Sequence, residues 1–230
     1  MRAMIKAWAY DRHPDIVRIF QLSRYELRGW IAHVAGLLSA RQRALLARQR
    51  DVRGLRLNIA SGGVRREGWI CIDTCRQADI RMDLRCPLPF SDGAAALLFC
   101  EHFCDHLSFP VVISRFLAEC HRVLEPGGRA RFVMHDARGL ARAYVEDDFS
   151  YFRTAEQIAP TLNESVNHLF RFNDFHQFLY DFETFERLLK QAGFSRVLRC
   201  GFRESEVHEL VLDVDHPSRE VMSMYIEAIR

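Results

Sequence analysis

The sequence predicts an α/β domain on a mostly parallel sheet of seven strands, and three observations carry that prediction. From residue 55 onward, short apolar runs alternate with amphipathic stretches of helical length. A turn of small residues, Asn58-Ile59-Ala60-Ser61-Gly62-Gly63, follows the first run, where an open parallel sheet places its ligand. The 230 residues, 49% hydrophobic, suffice for one full core and not for two catalytic domains.

Residues 1–52 read as a helical extension or cap, and 53–230 as the domain proper, with a lid or insertion at 149–180. Ile16, Ile19 and Phe20, then Trp30, Ile31, Val34, Leu37 and Leu38, then Leu45 and Leu46, recur at helical spacing. They predict one or two helices over 15–50 that pack through this apolar side, with Arg41, Arg43, Arg48 and Arg50 on the wet sides. A helix lying on a membrane surface is the other reading. Charge is uneven: residues 1–52 hold ten of the 32 Arg and Lys and four of the 30 Asp and Glu, leaving 22 against 26 in the remainder.

The opening MRAMIKAWAYDRHPD has no continuous apolar segment before Asp11 and Asp15 and does not read as a secretory signal. Gly29 to Ala40, free of Asp, Glu, Lys and Arg, is too short to span a bilayer. Seven scattered cysteines suit a reducing compartment. A cytoplasmic protein is expected. Cys100, His102, Cys104 and His106 lack the second matched pair a zinc site wants, so no metal is expected.

Strands are expected near 55–59, 69–72, 79–82, 95–100, 128–135, 196–202 and 221–229. Helices are expected near 109–122, 137–146 and 182–191, the last with Asp181 as N-cap and Gly193 past its end. Residues 150–176 are polar and aromatic without period and read as a loop or lid. Nine residues, Ala60 to Gly68, separate the first two strands, too few for the usual crossover helix. The first crossover is therefore abbreviated, and the N-terminal helices are expected over the sheet face it opens or over the ligand mouth.

Four segments carry a resemblance: LRLNIASGGVRREGWICIDT from Leu55, ADIRMDLRCPLPF from Ala78, CEHFCDHL at 100–107 and RVLEPGGRARFVMHD at 122–136. In order and spacing they resemble the cofactor half of class I S-adenosylmethionine-dependent methyltransferases, in particular compact bacterial proteins associated with glycan and secondary-metabolite genes. The resemblance implies a Rossmann-like fold and S-adenosylmethionine as cofactor. It places Asn58, Ala60, Ser61 and Gly62 along the methionine part. Asp73, with Thr74, would accept the ribose hydroxyls, Asp83 and Leu84 would read adenine, and Glu101 and His102 would lie beside the cofactor. Ala60 stands where the family usually has glycine, Asp105 where glutamate is expected, and His135 where Pro-Asp is common.

For the chemistry, His135 ends the fifth strand on the substrate side and is either a base or a strand-end histidine. His176 and Tyr180, four apart, resemble a His and Tyr-Asp feature of this sub-group. His176 is the first choice for general base and Tyr180 for acceptor binding, the alternative being a packed aromatic segment. His106, Asp136 and Asn173 are the expected substrate contacts.

The leading expectation is methyl transfer to an oxygen or nitrogen of a small molecule, a sugar or natural-product intermediate. An alkylation or cyclisation that consumes the cofactor differently, and a non-catalytic partner subunit, are the alternatives. The body lacks a basic cluster, which argues against a nucleic-acid partner. A homodimer and a peripheral membrane contact through 15–50 remain open.

Overall fold

The computed structural model describes residues 12–153, 159–172 and 174–230. Its strands are β1 (Leu55–Ile59), β2 (Ile70–Asp73), β3 (Ile80–Arg81), β4 (Ala95–Glu101), β5 (Leu124–His135), β6 (Arg196–Cys200) and β7 (Ser223–Ile229). They form one sheet in the order β3-β2-β1-β4-β5-β7-β6. Strands β1 to β5 pair in parallel, and β7 enters antiparallel between β5 and β6. This is the expected Rossmann-like sheet. The chain steps outward from β1 to β3 and then returns to the other side of β1, so the strand order reverses between β1 and β4. A crevice at that point, beyond the carboxyl ends of the strands, is where such sheets bind ligands.

Helices α1 (Pro14–Leu38) and α2 (Ala40–Gln49) precede the sheet. Then come α3 (Val111–Val123), α4 (Ala137–Val145), α5 (Phe149–Arg153), α6 (Leu162–Arg171), α7 (Phe182–Gln191) and α8 (Pro217–Met222). The main core lies between the sheet and α3 and α7: Leu57, Ile59, Leu98 and Phe132 meet Ile113, Leu117, Phe185 and Leu189. Asp181 caps α7 through the Thr184 amide at 3.0 Å, as expected.

No helix occupies residues 60–69, so the first crossover is abbreviated as the spacing predicted. The face left open is covered by 201–216 rather than by the N-terminal helices, a correction to one of the two places expected for them. Leu210, with Phe202, Val207 and Leu212, packs on Trp69, Phe99, Val133 and Tyr225. Buried ion pairs and hydrogen bonds add to this apolar packing. Arg131 of β5 is fully buried and must be compensated. Asp213 accepts from its Nε at 2.8 Å, Glu227 accepts from Nη1 at 3.2 Å, and the Glu204 and Gly201 carbonyls take two further N–H groups. This ties the 201–216 segment to the sheet.

Helix α1 is the second correction. Of the apolar residues expected to pack inward, Leu45 and Leu46 of α2 do pack on the core, but Ile16, Phe20, Trp30 and Leu38 of α1 are exposed. The inward side is made of small and polar residues. Gly36 lets the helix backbone meet the β3 edge: a Cβ there would lie 2.0 Å from the Arg81 carbonyl oxygen. The Arg81 amide then donates to Gln42 Oε1 at 2.9 Å, and the Asp83 amide to His33 Nδ1 at 3.3 Å.

Residues 149–180 are more regular than a loop. Helices α5 and α6 bury Tyr151, Phe152, Leu162 and Leu169 against Leu140, Ala143, Leu179 and Met222 in a separate small core. Thr161 and Glu164 close a reciprocal cap at the start of α6, the Thr161 hydroxyl accepting from the Glu164 amide and the Glu164 carboxylate from the Thr161 amide. That Thr-x-x-Glu pattern is the local sequence signal for a helix where a loop was expected.

Candidate active site

A cavity of about 440 Å³ opens at the switch point, within the usual range of small-molecule sites. Ala60, Asp73, Thr74, Asp83, Leu84 and His106 line it, six of the residues expected from sequence. Phe103, Leu107, Ser108 and Val112 add an apolar wall. The rest of the wall is Leu22, Tyr25, Glu26, Arg28 and Gly29 of α1, which so takes the second of the two places expected for the N-terminal helices, with Arg85, Asp174, Phe175 and Gln177, none of them named as site residues from the sequence. No local motif marks α1 as a wall. It arrives there because Arg18 pairs with Asp174 at 2.7 Å, Glu26 with Arg85 at 2.7 Å, and Tyr25 packs on Phe175 with ring centroids 5.0 Å apart.

The turn after β1 reaches the cavity at Ala60. Ala60 has φ +55°, a left-handed conformation that penalises any side chain and explains why related turns favour glycine there. Asp73 organises the turn from the neighbouring strand. Its Oδ2 accepts from the Gly62 amide at 3.0 Å, and its Oδ1 accepts from the Cys75 amide at 2.9 Å and the Thr74 hydroxyl at 3.3 Å. The carboxylate thus fixes the turn, as in the structural reading, while lining the cavity with acceptor capacity left on Oδ2. Ser61 is buried in the same turn, and Asn58 lies beneath it with its amide toward Cys71 Sγ at 3.9 Å.

Asp83 is committed. Arg85 donates to both of its oxygens, from Nε at 2.9 Å and Nη2 at 2.6 Å. Burial works to raise the Asp83 carboxyl, but the Arg85 hydrogen bonds outweigh it and hold the group below its ordinary value. Glu101 turns away from the cavity to Arg219 at 3.2 Å, and burial raises its carboxyl.

Beyond His106 the carboxyl ends of β4 and β5 gather four histidines. Ring centroids are 5.1 Å apart for His106 and His176, 5.0 Å for His176 and His135, and 4.4 Å for His135 and His102. His102 holds φ +48°, strained for a side-chain-bearing residue, and its Nε2 lies 2.9 Å from Ser223 Oγ. Burial lowers the His102 and His106 imidazoles and pushes His176 down to about 4. His176 Nδ1 donates to the Leu169 carbonyl at 2.6 Å, leaving Nε2 as a weakly basic acceptor.

His135 differs from the other three. Its Nδ1 meets Asp105 Oδ2 at 2.9 Å, and Asp105 is fully buried. With a carboxylate oxygen as the acceptor, the bond selects the His135 tautomer whose proton is on Nδ1 and whose lone pair is on Nε2. The Asp105 carbonyl also accepts the Gln177 amide at 2.7 Å, which fastens the segment after α6 to the cluster. His102, Asp105 and His135 offer ligand atoms within 4.8 Å of one another, a spread that would also admit a metal ion. The direct His135–Asp105 bond favours the dyad.

Of the remaining expected residues, Asp136 caps α4 through the Arg138 amide at 3.0 Å and pairs with Arg199 at 3.0 Å. Tyr180 is fully buried against Phe178 and Phe185 and has its phenol raised by burial. None of Tyr180, His135 and His176 lines the cavity, and the two histidines stand behind His106 through the ring contacts His106–His176 and His176–His135. Asn173 lies outside the described residues.

Residues 40–132 match the family model of a methyltransferase domain, a stretch that runs from α2 through most of β5. No curated protein matches the chain. Among solved structures, it is similar to an S-adenosylmethionine-dependent methyltransferase from Archaeoglobus fulgidus, with 14% identity over 84% of this chain and 93% of that one and a TM-score of 0.44. It is also similar to a possible histamine N-methyltransferase from Thermotoga maritima, with 17% identity over 92% and 95% and a TM-score of 0.46. The matched stretch covers 93 of the 230 residues, and likenesses this distant carry no argument about reaction or substrate.

Proposed function

We propose that this chain, whose residues 40–132 match the model of a methyltransferase domain, is a class I S-adenosylmethionine-dependent methyltransferase that acts on an oxygen or nitrogen of a small molecule, with His135 as the base. The cofactor's site fits the residues present: a cavity of suitable volume, a small-residue turn, and an acid at the end of β2 with acceptor capacity toward the cavity. S-adenosylmethionine, when bound, supplies a methyl group activated as a sulfonium for in-line displacement.

The observation that carries the reading is the Asp105–His135 pair. A hydroxyl or protonated amine becomes a usable nucleophile only as its proton leaves. His135 Nε2 takes that proton, and Asp105 holds the imidazole in the required tautomer and stabilises the cation that forms. His106, on the cavity wall, and His176 next to it are neutral and orient the acceptor by hydrogen bonding. Asp73 holds the ribose end, while Asp83, bound to Arg85, keeps α1 against the mouth through Glu26. The aromatic edge formed by Tyr25 and Phe175 excludes water from that side.

The test is product analysis. The protein is incubated with S-adenosylmethionine and a panel of hydroxylated and amine-bearing small molecules. Methyl transfer releases S-adenosylhomocysteine only with an acceptor, and His135→Asn suppresses it. Methylthioadenosine as product would instead establish consumption of the aminobutyrate arm. Neither product, with tight S-adenosylhomocysteine binding, would favour a binding subunit.

A further inference from the structure

Helix α1 has two faces that reverse the normal order of a surface helix. Leu22, Tyr25, Gly29, Ala32 and Gly36, spaced three and four apart, face the enzyme: the first three line the cavity, Ala32 is buried and Gly36 abuts the β3 edge. Ile16, Phe20, Leu27, Ile31 and Leu38, spaced four and seven apart, fall on the opposite side, joined by Trp30. Their exposures are 64%, 61%, 54%, 50% and 71%, with Trp30 at 61%. A continuous stripe of large apolar side chains over more than five helical turns is not a scatter of surface leucines, and such patches mark interaction sites.

The flanking charge selects the occupant. Arg24 and Arg28 border the stripe on one side of α1, and Arg41, Arg43 and Arg48 of the adjoining α2 are exposed as well. Arg43 also closes the end of α1 by donating to the Leu37 and Leu38 carbonyls at 3.1 and 2.9 Å, which holds the two helices in one unit. Residues 12–53 hold nine arginines against Asp15, Glu26 and Asp51, while the chain as a whole is only +2. A second copy of this helix would bring two such cationic segments face to face. An anionic bilayer complements both features at once, the acyl boundary receiving the apolar stripe and the headgroups the arginines. No helix among the described residues is long and apolar enough to cross a membrane, which suits a helix lying in the interface.

We infer that α1 docks this protein on an anionic lipid surface through the Ile16–Leu38 stripe, with α2 supplying the cationic margin. The docked helix is the same one whose inner side walls the cavity, so the site sits against the membrane. The inference stands on the helix alone and does not depend on the reaction catalysed.

The experiment is flotation of the full chain with vesicles of phosphatidylglycerol and phosphatidylcholine, against vesicles of phosphatidylcholine alone. Light scattering of the free protein and its thermal melt run alongside. The wild type should float with the anionic vesicles and not with the neutral ones, and high salt should weaken it. Leu27→Glu/Ile31→Glu should reduce partitioning by about tenfold or more, with the melt unchanged because both sites are exposed. Arg41→Glu/Arg48→Glu, away from the stripe, should reduce it too. Absence of flotation at low salt, or equal flotation with neutral vesicles, would overturn the inference. So would a solution dimer that Leu27→Glu/Ile31→Glu converts to monomer, since that would make the stripe a contact between copies.

Discussion

His135 Nδ1 and Asp105 Oδ2 meet at 2.9 Å between the end of β5 and the turn after β4. Each of these residues departs from the family pattern, a histidine where Pro-Asp is common and an aspartate where glutamate is expected. The two departures touch. The shorter acid leaves room for an imidazole on the next strand, and the imidazole uses the carboxylate oxygen that faces it. In the sequence His135 reads as a base or a strand-end histidine and Asp105 as an acid shortened by one methylene; in the structure they form one hydrogen-bonded pair.

The first prediction concerns that pair. His135→Asn should lower turnover by about 100-fold or more, and Asp105→Asn should lower it as well by removing the charge that fixes the tautomer. S-adenosylhomocysteine affinity, measured by calorimetry, should hold in both, because Asp73 and the glycine turn are untouched. Prolonged chelation should leave wild-type turnover unchanged, since the pair acts through a proton; loss restored by added zinc would transfer the role to a metal at His102, Asp105 and His135.

Stability should fall in mild acid. His176 titrates near 4 in the folded protein because burial disfavours its charged form. It titrates near 6.5 when unfolded. Between those values the unfolded chain binds more protons, so its contribution to stability is full above about 6.5 and is lost as the pH falls toward 4. The His102 and His106 shifts have the same sign. Thermal melts at successive pH values should show the midpoint dropping through this window, and His176→Gln should flatten the drop.

At Ala60 a side chain occupies a left-handed backbone position, φ +55°. Ala60→Gly should relieve that strain and stabilise the protein by about 1 kcal/mol, read as a higher urea midpoint at constant m-value. A lower midpoint would mean that the methyl group makes packing contacts worth more than the strain.

Arg131 holds the segment that replaces the missing crossover helix. Arg131→Met strands Asp213 as a buried carboxylate, leaves Glu227 with Arg129 alone, and should cost about 3–5 kcal/mol. Proteolysis should then open residues 201–216 first. Native protection of that segment in the variant would show that the Leu210 cluster suffices without the ion pairs.

The strands, the abbreviated crossover and the acid at Asp73 were legible because period, turn chemistry and strand ends are local properties of sequence. Six expected cofactor and substrate residues line the cavity for the same reason. The orientation of α1 was not legible. Its periodicity gave the apolar side but not which way that side faces, and the deciding contacts, Gly36 on Arg81 and Arg18 with Asp174, join positions far apart in the chain. The Asp105–His135 bond likewise crosses 30 residues. Nor does sequence show that Arg85 occupies Asp83, or that Glu101 turns to Arg219.

The central claim is that the cavity beside Asp73 binds S-adenosylmethionine. Calorimetric titration of S-adenosylhomocysteine into the wild type, Asp73→Ala and Asp73→Asn tests it most directly, with thermal melts confirming that each is folded. The wild type should show saturable one-site binding, weakened about 10- to 100-fold in both variants. No binding by the folded wild type, or equal binding by all three, would contradict it.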